Sequence, residues 1–482
     1  MFDRLITYFA KQTPQAIAIC TPTISVTYAE LESAIDRFAA ELTQSNPPKP
    51  GLTGVAVSDR YIHRLILLAL ARLGVTSTSY LSVMREAMEP LLKPDFVITD
   101  EAARPDSECG PRLLRITKEW LEAVGRRPHM PMPRPKIAPD GLARVMTSSG
   151  TTAMPKKFGM SWQDVEQRVL ETAVMAGTSG MNSRVMSLVG PEFLALPALV
   201  GPLCRGATVL FGSDDPVTAA KCLTRLEPTA IYMAPVQLKV LLDALPPGFL
   251  PLRNLSLVVS GAHTPRSVRE EARARLSNDI RLVYGTTECG IVATRRDTAT
   301  NDDDTDVGTI NPWCDVEIVD ATHKPMTPGA VGRIRVRGTN VIDRYIDDDE
   351  ANATYFHDGW FYPGDIGSVA QDGRLRVLGR TDEMMNFGGA SFMPHAIEGA
   401  VMACAGVVDA GAFSMRDKNG FDMPWIAIVR GPDLREQDVA KALMLPGLPP
   451  VRVVWIDKVP RTSTGKVYRD QLQAAAQDLN PK

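Results

Sequence analysis

The sequence is poor in the features that mark disulfide scaffolds, metal centres, membrane spans and nucleic-acid binders. Its seven cysteines (Cys20, Cys109, Cys204, Cys222, Cys289, Cys314, Cys404) are scattered, with no CxxC pair and no histidine at metal-ligand spacing. That excludes a paired-cysteine zinc site and predicts reduced, mostly buried thiols in a cytoplasmic protein. Neither sign of charge dominates: 53 basic and 56 acidic residues leave a net charge of -3, so nucleic acid is not the expected partner. Long apolar runs are missing as well. Residues 65–75 are interrupted by Arg72, and residues 186–204 contain Glu192, Pro191, Pro197 and Pro202; a span needs about 20 apolar residues. Asp3 and Arg4, with Lys11 and Gln12 soon after, leave no uninterrupted apolar stretch at the N-terminus and argue against a signal peptide.

What remains is an ordinary globular composition, 44% hydrophobic and 23% charged over 482 residues. That length exceeds what one core usually supports and predicts a large N-terminal portion with at least one further unit. Thr27-Tyr28-Ala29-Glu30 has capping-box spacing, and Leu31, Ile35, Phe38, Ala39 and Leu42 then recur on one face, so an amphipathic helix begins there and ends at Pro47-Pro48-Lys49-Pro50. Short β-rich runs at 185–189, 207–211, 230–233, 255–259 and 281–284 alternate with helical patterns such as 265–276, which predicts parallel sheets with helices on their faces. From Asp315 the pattern changes to paired strands at 316–319, 333–337, 366–370 and 374–378, the last two flanking the turn signal Asp372-Gly373. Beyond Arg380 to Glu383 a compact unit of about 100 residues follows, with helices at 394–403 and 436–445 and strands at 407–414, 425–429 and 451–456. The acidic run Asp302-Asp303-Asp304 with Asp306 reads as a solvated loop, since no partner ligands for a cation are evident.

Chemistry is concentrated in four segments. Thr147-Ser148-Ser149-Gly150-Thr151-Thr152-Ala153-Met154-Pro155-Lys156 is a loop with five hydroxyls, a glycine and a terminal lysine, suited to a polyphosphate but without the GxxxxGK[ST] spacing of P-loop NTPases. The others are Tyr284-Gly285-Thr286-Thr287-Glu288, then Tyr362-Pro363-Gly364-Asp365 with Gly379-Arg380-Thr381-Asp382, and finally Pro460-Arg461-Thr462-Ser463-Thr464-Gly465-Lys466. Taken singly, Tyr284 is equally a core tyrosine, Glu288 a helix-start charge, Asp365 and Arg380 a surface ion pair, and Lys466 a solvated charge.

Together, in this order, the segments closely resemble the ANL superfamily of adenylate-forming enzymes, which includes acyl- and aryl-CoA synthetases, peptide-synthetase adenylation domains and luciferases. The resemblance spans nearly the whole chain. It implies an α/β fold: a large N-terminal domain (1–380) of two parallel-rich α/β subdomains plus a β-barrel-like subdomain, and a small mobile α+β C-terminal domain (381–482) carrying Lys466. It implies ATP and Mg²⁺ as cofactors. Thr147, Ser148, Ser149, Gly150, Thr151, Thr152 and Lys156 would hold the phosphates, with Gly261, Ala262, Tyr284, Gly285 and Thr286 around the adenine. Thr287 would meet the α-phosphate, Glu288 the metal, and Asp365 with Arg380 the ribose. Lys466 would bridge the attacking carboxylate and the α-phosphate.

The implied reaction joins a carboxylic acid to AMP with release of pyrophosphate, then transfers the acyl group to a thiol. That thiol is coenzyme A or, alternatively, the phosphopantetheine of a separate carrier protein. Between the halves the C-terminal domain would turn about Asp382 and bring Gly388 and Gly389 to the thiol tunnel. A non-catalytic binder of the same fold has no need of Glu288, Asp365, Arg380 and Lys466 together.

Several positions depart from the family pattern. Ala153 and Lys157 stand where glycines are usual, and Trp162 where many relatives carry histidine. Ser260, Gly285, Glu192 and Phe193 fall at the acid site; Phe193 approximates the position of a peptide synthetase's amino-binding aspartate, which points to an acyl or aryl acid. Glu192 either faces solvent or recognises a positive group on the substrate. His263 is expected to pack rather than act as a base, because the reaction needs none. The identity of the acid and the oligomeric state are not legible in the sequence.

Overall fold

The computed structural model describes residues 3–45, 47, 51–101, 112–148, 155–175, 180–189, 200–212, 215–298, 303–387, 390–416, 421–462 and 465–479. The capping box at Thr27 forms as its spacing predicts: Glu30 accepts from the Thr27 backbone N–H at 2.8 Å, and the Glu30 N–H donates to Thr27 Oγ1 at 3.2 Å. The helix Tyr28–Ser45 follows, and the five apolar residues of its stripe, Leu31, Ile35, Phe38, Ala39 and Leu42, are all buried.

Three sheets position the site. The first has strands in the order Arg112–Arg115, Phe96–Thr99, Thr53–Ala56, Ser77–Ser79, Leu142–Thr147 and Lys157–Ser161. All its neighbours are parallel except the last pair, which the hydroxyl-rich loop connects as an antiparallel hairpin. In the second sheet, Thr208–Leu210, Arg184–Ser187, Ala230–Met233, Ser256–Ser260 and Asp279–Thr286 run parallel in that spatial order. These are the alternating runs seen in the sequence. The later antiparallel strands, Gly290–Asp297 to Asp365–Val369 and Arg374–Arg380, are hydrogen-bonded onto the same sheet rather than standing apart. The smaller C-terminal unit has its own sheet, Val407–Arg416 against Asp422–Arg430 and Arg452–Ile456, with a buried core that includes Ile397, Val401, Ile426 and Ile428. No described helix is long and apolar enough to cross a membrane.

The described members of the acidic run are paired rather than freely solvated; Asp302 lies outside the described residues. Asp303 pairs with Arg376 at 2.7 Å, Asp304 with Arg269 at 2.6 Å, and Asp306 with Arg374 at 2.5 Å. Arginines from one helix and one strand, Arg269 on the helix Arg266–Arg275 and Arg374 with Arg376 on the strand Arg374–Arg380, converge on it, a complementarity that charge runs alone do not reveal. Six of the cysteines are described and all are free thiols; Cys109 lies outside the described residues.

A buried histidine supplies a pH dependence. His63, 2% exposed, lies with Nδ1 3.1 Å from the Val57 carbonyl and Nε2 3.1 Å from Ser79 Oγ. Burial, reinforced by the Arg64 guanidinium, pushes its imidazole down to about 3 from 6.5. Below 6.5 the unfolded chain takes up a proton that the folded chain refuses. Stability should therefore fall as pH drops from 6.5 towards 3, by at most about 1.4 kcal/mol per pH unit from this group. Urea titrations across that window should show a shallower acid limb for His63→Gln; an identical limb would contradict the assignment.

Candidate active site

The ends of the strands Ser256–Ser260 and Asp279–Thr286 bring the central motif to one edge of the second sheet. Gly285 is there of necessity: a Cβ on it would sit 2.0 Å from the Gly290 carbonyl oxygen. Thr286 Oγ1 accepts from the Glu288 and Cys289 N–H groups, each at 3.2 Å, and shapes the turn that presents Thr287 and Glu288. Both are nearly buried. Thr287 Oγ1 donates to Glu288 Oε2 at 3.1 Å.

Beneath this turn lies a residue the sequence reading did not single out. Arg168, on the helix Trp162–Met175, is buried and donates to the carbonyls of Thr287, Glu288 and Asn340 at 2.6, 2.7 and 2.6 Å. Burial lowers its pKa, and the three carbonyl dipoles offset the desolvation. Nothing in the helical spacing of Arg168 distinguishes it from a surface charge; its targets lie more than a hundred positions away.

Asp365 and Arg380 face each other at the end of the antiparallel strand pair Asp365–Val369 and Arg374–Arg380, each just outside the strand bounds expected from the sequence. Arg380 Nη1 is 3.8 Å from Asp365 Oδ1, and its Nε donates to Asp382 at 2.9 Å. The Tyr284 hydroxyl donates to Asp365 Oδ2 at 2.5 Å, which fixes the ring expected beside adenine. Burial raises the Asp365 pKa against the opposing pull of Arg380, Tyr284 and Lys466. Lys466 is therefore in the same electrostatic neighbourhood. Burial and Arg380 lower its pKa, while Asp365, Glu383 and Glu288 favour its charge.

The described ends of the loop bearing Lys466 are braced against each other. Its Thr462 N–H donates to the Lys466 carbonyl at 2.8 Å, and the Lys466 N–H donates to Thr462 Oγ1 at 3.0 Å. Arg461 donates to the Gly465 carbonyl at 2.7 Å and pairs with Asp409 at 2.6 Å. Gly465 has φ +88°, and a Cβ there would lie 3.1 Å from Val236 of the second sheet's flanking helix. The His263 and His395 rings, 5.5 Å apart, make a further contact between the large unit and the small one, so His263 packs as expected.

Of the loop expected to hold phosphate, Thr147, Ser148, Pro155 and Lys156 are described. Thr147 ends its strand opposite Lys157, and the Ser148 N–H donates to the Lys156 carbonyl at 2.8 Å, closing the loop's neck. Lys156 Nζ lies 5.1 Å from the Tyr355 ring centre and 6.0 Å from that of Tyr345. Lys157, where glycine is usual, pairs with Asp347 at 2.7 Å, and Trp162 is buried at its helix start. Ser260, Gly261 and Ala262 lie at and just beyond the end of their strand. Ser149, Gly150, Thr151, Thr152, Ala153, Glu192, Phe193, Gly388 and Gly389 lie outside the described residues.

A family model described as AMP-binding enzyme matches residues 6–346. The chain belongs to that family. This AMP-binding enzyme sits within the adenylate-forming ANL superfamily that its motifs resemble, as an AMP-forming acid–thiol ligase. It is similar to indoleacetate--CoA ligase of Aromatoleum aromaticum, 26% identical over 502 residues and covering 95% of each chain. It is also similar to 4-chlorobenzoate--CoA ligase of an Arthrobacter species, 26% identical over 519 residues, covering 99% of this chain and 97% of that one. The fold is that of ATP-bound MatB from Rhodopseudomonas palustris, with a TM-score of 0.87 over 99% of this chain and all of that one at 20% identity.

Proposed function

We propose that the enzyme activates an aryl or arylalkanoic acid with ATP and transfers the acyl group to coenzyme A. One observation carries the reading: residues of three separate motifs converge, with Tyr284 2.5 Å and Arg380 3.8 Å from Asp365, and with Lys466 within the electrostatic reach of Asp365, Arg380 and Glu288. A binding protein would gain nothing from partly burying a lysine there. The substrate class follows the relatives, whose names specify indoleacetate and 4-chlorobenzoate.

In the first half a carboxylate oxygen of the acid bonds to the α-phosphorus as the bond to the pyrophosphate oxygen breaks. Lys466 stabilises the charge gathered on the α-phosphoryl oxygens and orients the attacking carboxylate. Asp365 accepts from the ribose hydroxyls, Arg380 adds a donor beside it, and Tyr284 flanks the adenine. In the second half the thiol sulfur of coenzyme A bonds to the acyl carbon, its proton is lost, and AMP leaves with the electron pair of the cleaved mixed-anhydride bond. The N-terminal unit 1–380 holds the nucleotide, and the unit 381–482 supplies the lysine and, with Gly388 and Gly389, the thiol path.

Glu288 fits a magnesium ion carried on the nucleotide. It is a nearly buried carboxylate held by hydroxyl donors on both oxygens, and no group of three metal-ligating side chains surrounds it among the described residues. Such a lone carboxylate suits Mg²⁺ that takes its other ligands from phosphates and water. When bound, the ion neutralises phosphate charge and favours departure of pyrophosphate.

Pyrophosphate release measured over aromatic, aliphatic and amino acids, with and without coenzyme A, tests this reading. Turnover that rises steeply with coenzyme A for aromatic acids is the expected result. Release indifferent to coenzyme A would favour loading of a separate carrier protein, and the absence of release with every acid would overturn the proposal.

A further inference from the structure

Tyr345 stands between the two groups assigned to the triphosphate's charge. Its hydroxyl donates to Glu288 Oε1 at 2.9 Å across 57 positions of sequence, and its ring lies 6.0 Å from the Lys156 ammonium. The side chain is 2% exposed and is packed edge-on by Tyr355 and Phe356, with ring centres at 6.1 and 5.5 Å. Its backbone is held on both sides. The Asn352 side chain accepts from the Tyr345 N–H at 2.7 Å and donates to its carbonyl at 3.0 Å. Tyr345 also bridges to Phe158, and the next N–H, that of Ile346, donates to the Lys157 carbonyl at 2.7 Å. The strand leaving the phosphate loop and the segment bearing Tyr345 are thereby fastened together immediately beside Lys156.

A tyrosine so constrained has one rotamer and one acceptor for its proton. The hydroxyl occupies one lone pair of Oε1 and thereby fixes the plane of the carboxylate, leaving the remaining lone pairs in a set direction. The lysine's positive charge meanwhile lies against two rings, that of Tyr355 at 5.1 Å and that of Tyr345 at 6.0 Å, the outer limit of a cation–π interaction.

We propose that Tyr345 is a positioning residue that locks the Glu288 carboxylate and the Lys156 ammonium into one rigid unit, and so sets how strongly magnesium strengthens ATP binding. The inference rests on the reading of Glu288 as the carboxylate that meets the metal. Tyr345→Phe removes the hydroxyl and keeps the ring over Lys156, so it isolates the Glu288 arm.

Isothermal titration of the full-length protein with ATP, in excess Mg²⁺ and in excess EDTA, gives the factor by which the metal tightens binding. In Tyr345→Phe that factor should fall about tenfold, the size expected for one hydrogen bond to a charged group, while metal-free affinity stays within about twofold. Equal weakening with and without metal would show that Tyr345 merely supports the pocket and would overturn the proposal, as would an unchanged factor. Glu288→Gln serves as the companion variant. If it abolishes the magnesium effect while Tyr345→Phe does not alter it, the positioning role alone fails. If Glu288→Gln keeps the full effect, the metal reading fails and takes the proposal with it. The double variant should lose no more than Glu288→Gln alone, because the two residues act through one carboxylate; additive losses count against the coupling.

Discussion

Lys466→Ala should slow acyl-adenylate formation by about two to three orders of magnitude, the range for removal of one key transition-state donor. Transfer from a supplied acyl-adenylate to coenzyme A should be spared. The expectation follows from where the ammonium is held. Arg380 and burial press its pKa down, and Asp365, Glu383 and Glu288 keep it charged, so the cation is poised in a partly dehydrated site where a developing phosphoryl charge is felt strongly. ATP–pyrophosphate exchange reports the first half-reaction, and single-turnover mixing of acyl-adenylate with coenzyme A reports the second. Near-normal exchange in the variant would remove Lys466 from the chemistry. The lowered pKa adds a sign: the activating charge is lost below the ordinary lysine value of 10.5, so the alkaline limb of exchange should begin earlier than for a solvated lysine.

The largest expected effect on stability lies far from this site. Arg72, fully buried in the helix Arg60–Leu73, meets Asp3 at 3.3 Å, Glu32 at 2.8 Å and Asp36 at 2.6 Å. These carboxylates come from the first helix and the second, so the guanidinium ties three helices together. Arg72→Met should destabilise the protein by about 3–5 kcal/mol, because it leaves buried carboxylates without their counter-charge. Arg134, which pairs with Asp3 at 2.9 Å, and His129, 3.0 Å from Asp36, cover only part of the loss. The midpoint of urea unfolding measures it, and a change below about 1 kcal/mol would mean that the ion cluster is held mainly by its surroundings.

Much of the architecture could be read because local rules and the tertiary environment agree. The stripe from Leu31 to Leu42 is buried residue for residue, and the runs near Ala230, Ser256 and Asp279 are neighbouring parallel strands. The family resemblance implied a second parallel subdomain, but the strands of the first sheet could not be read from the residues: several are only three or four residues long, too short for periodicity to register. At the site, the motif order led to Tyr284, Glu288, Asp365, Arg380 and Lys466. It did not lead to Arg168 or Tyr345, whose importance comes from what they touch across 119 and 57 positions of sequence. The same limit applies to Asp303, Asp304 and Asp306, whose arginine partners are specified only by the fold.

The knot that Arg461 ties between Asp409 and the Gly465 carbonyl has a kinetic meaning. If the small unit swings about Asp382, as the family resemblance implies, Lys466 would travel with both described ends of its segment already braced. The search for the nucleotide would then be set by the diffusion of one compact unit on a tether.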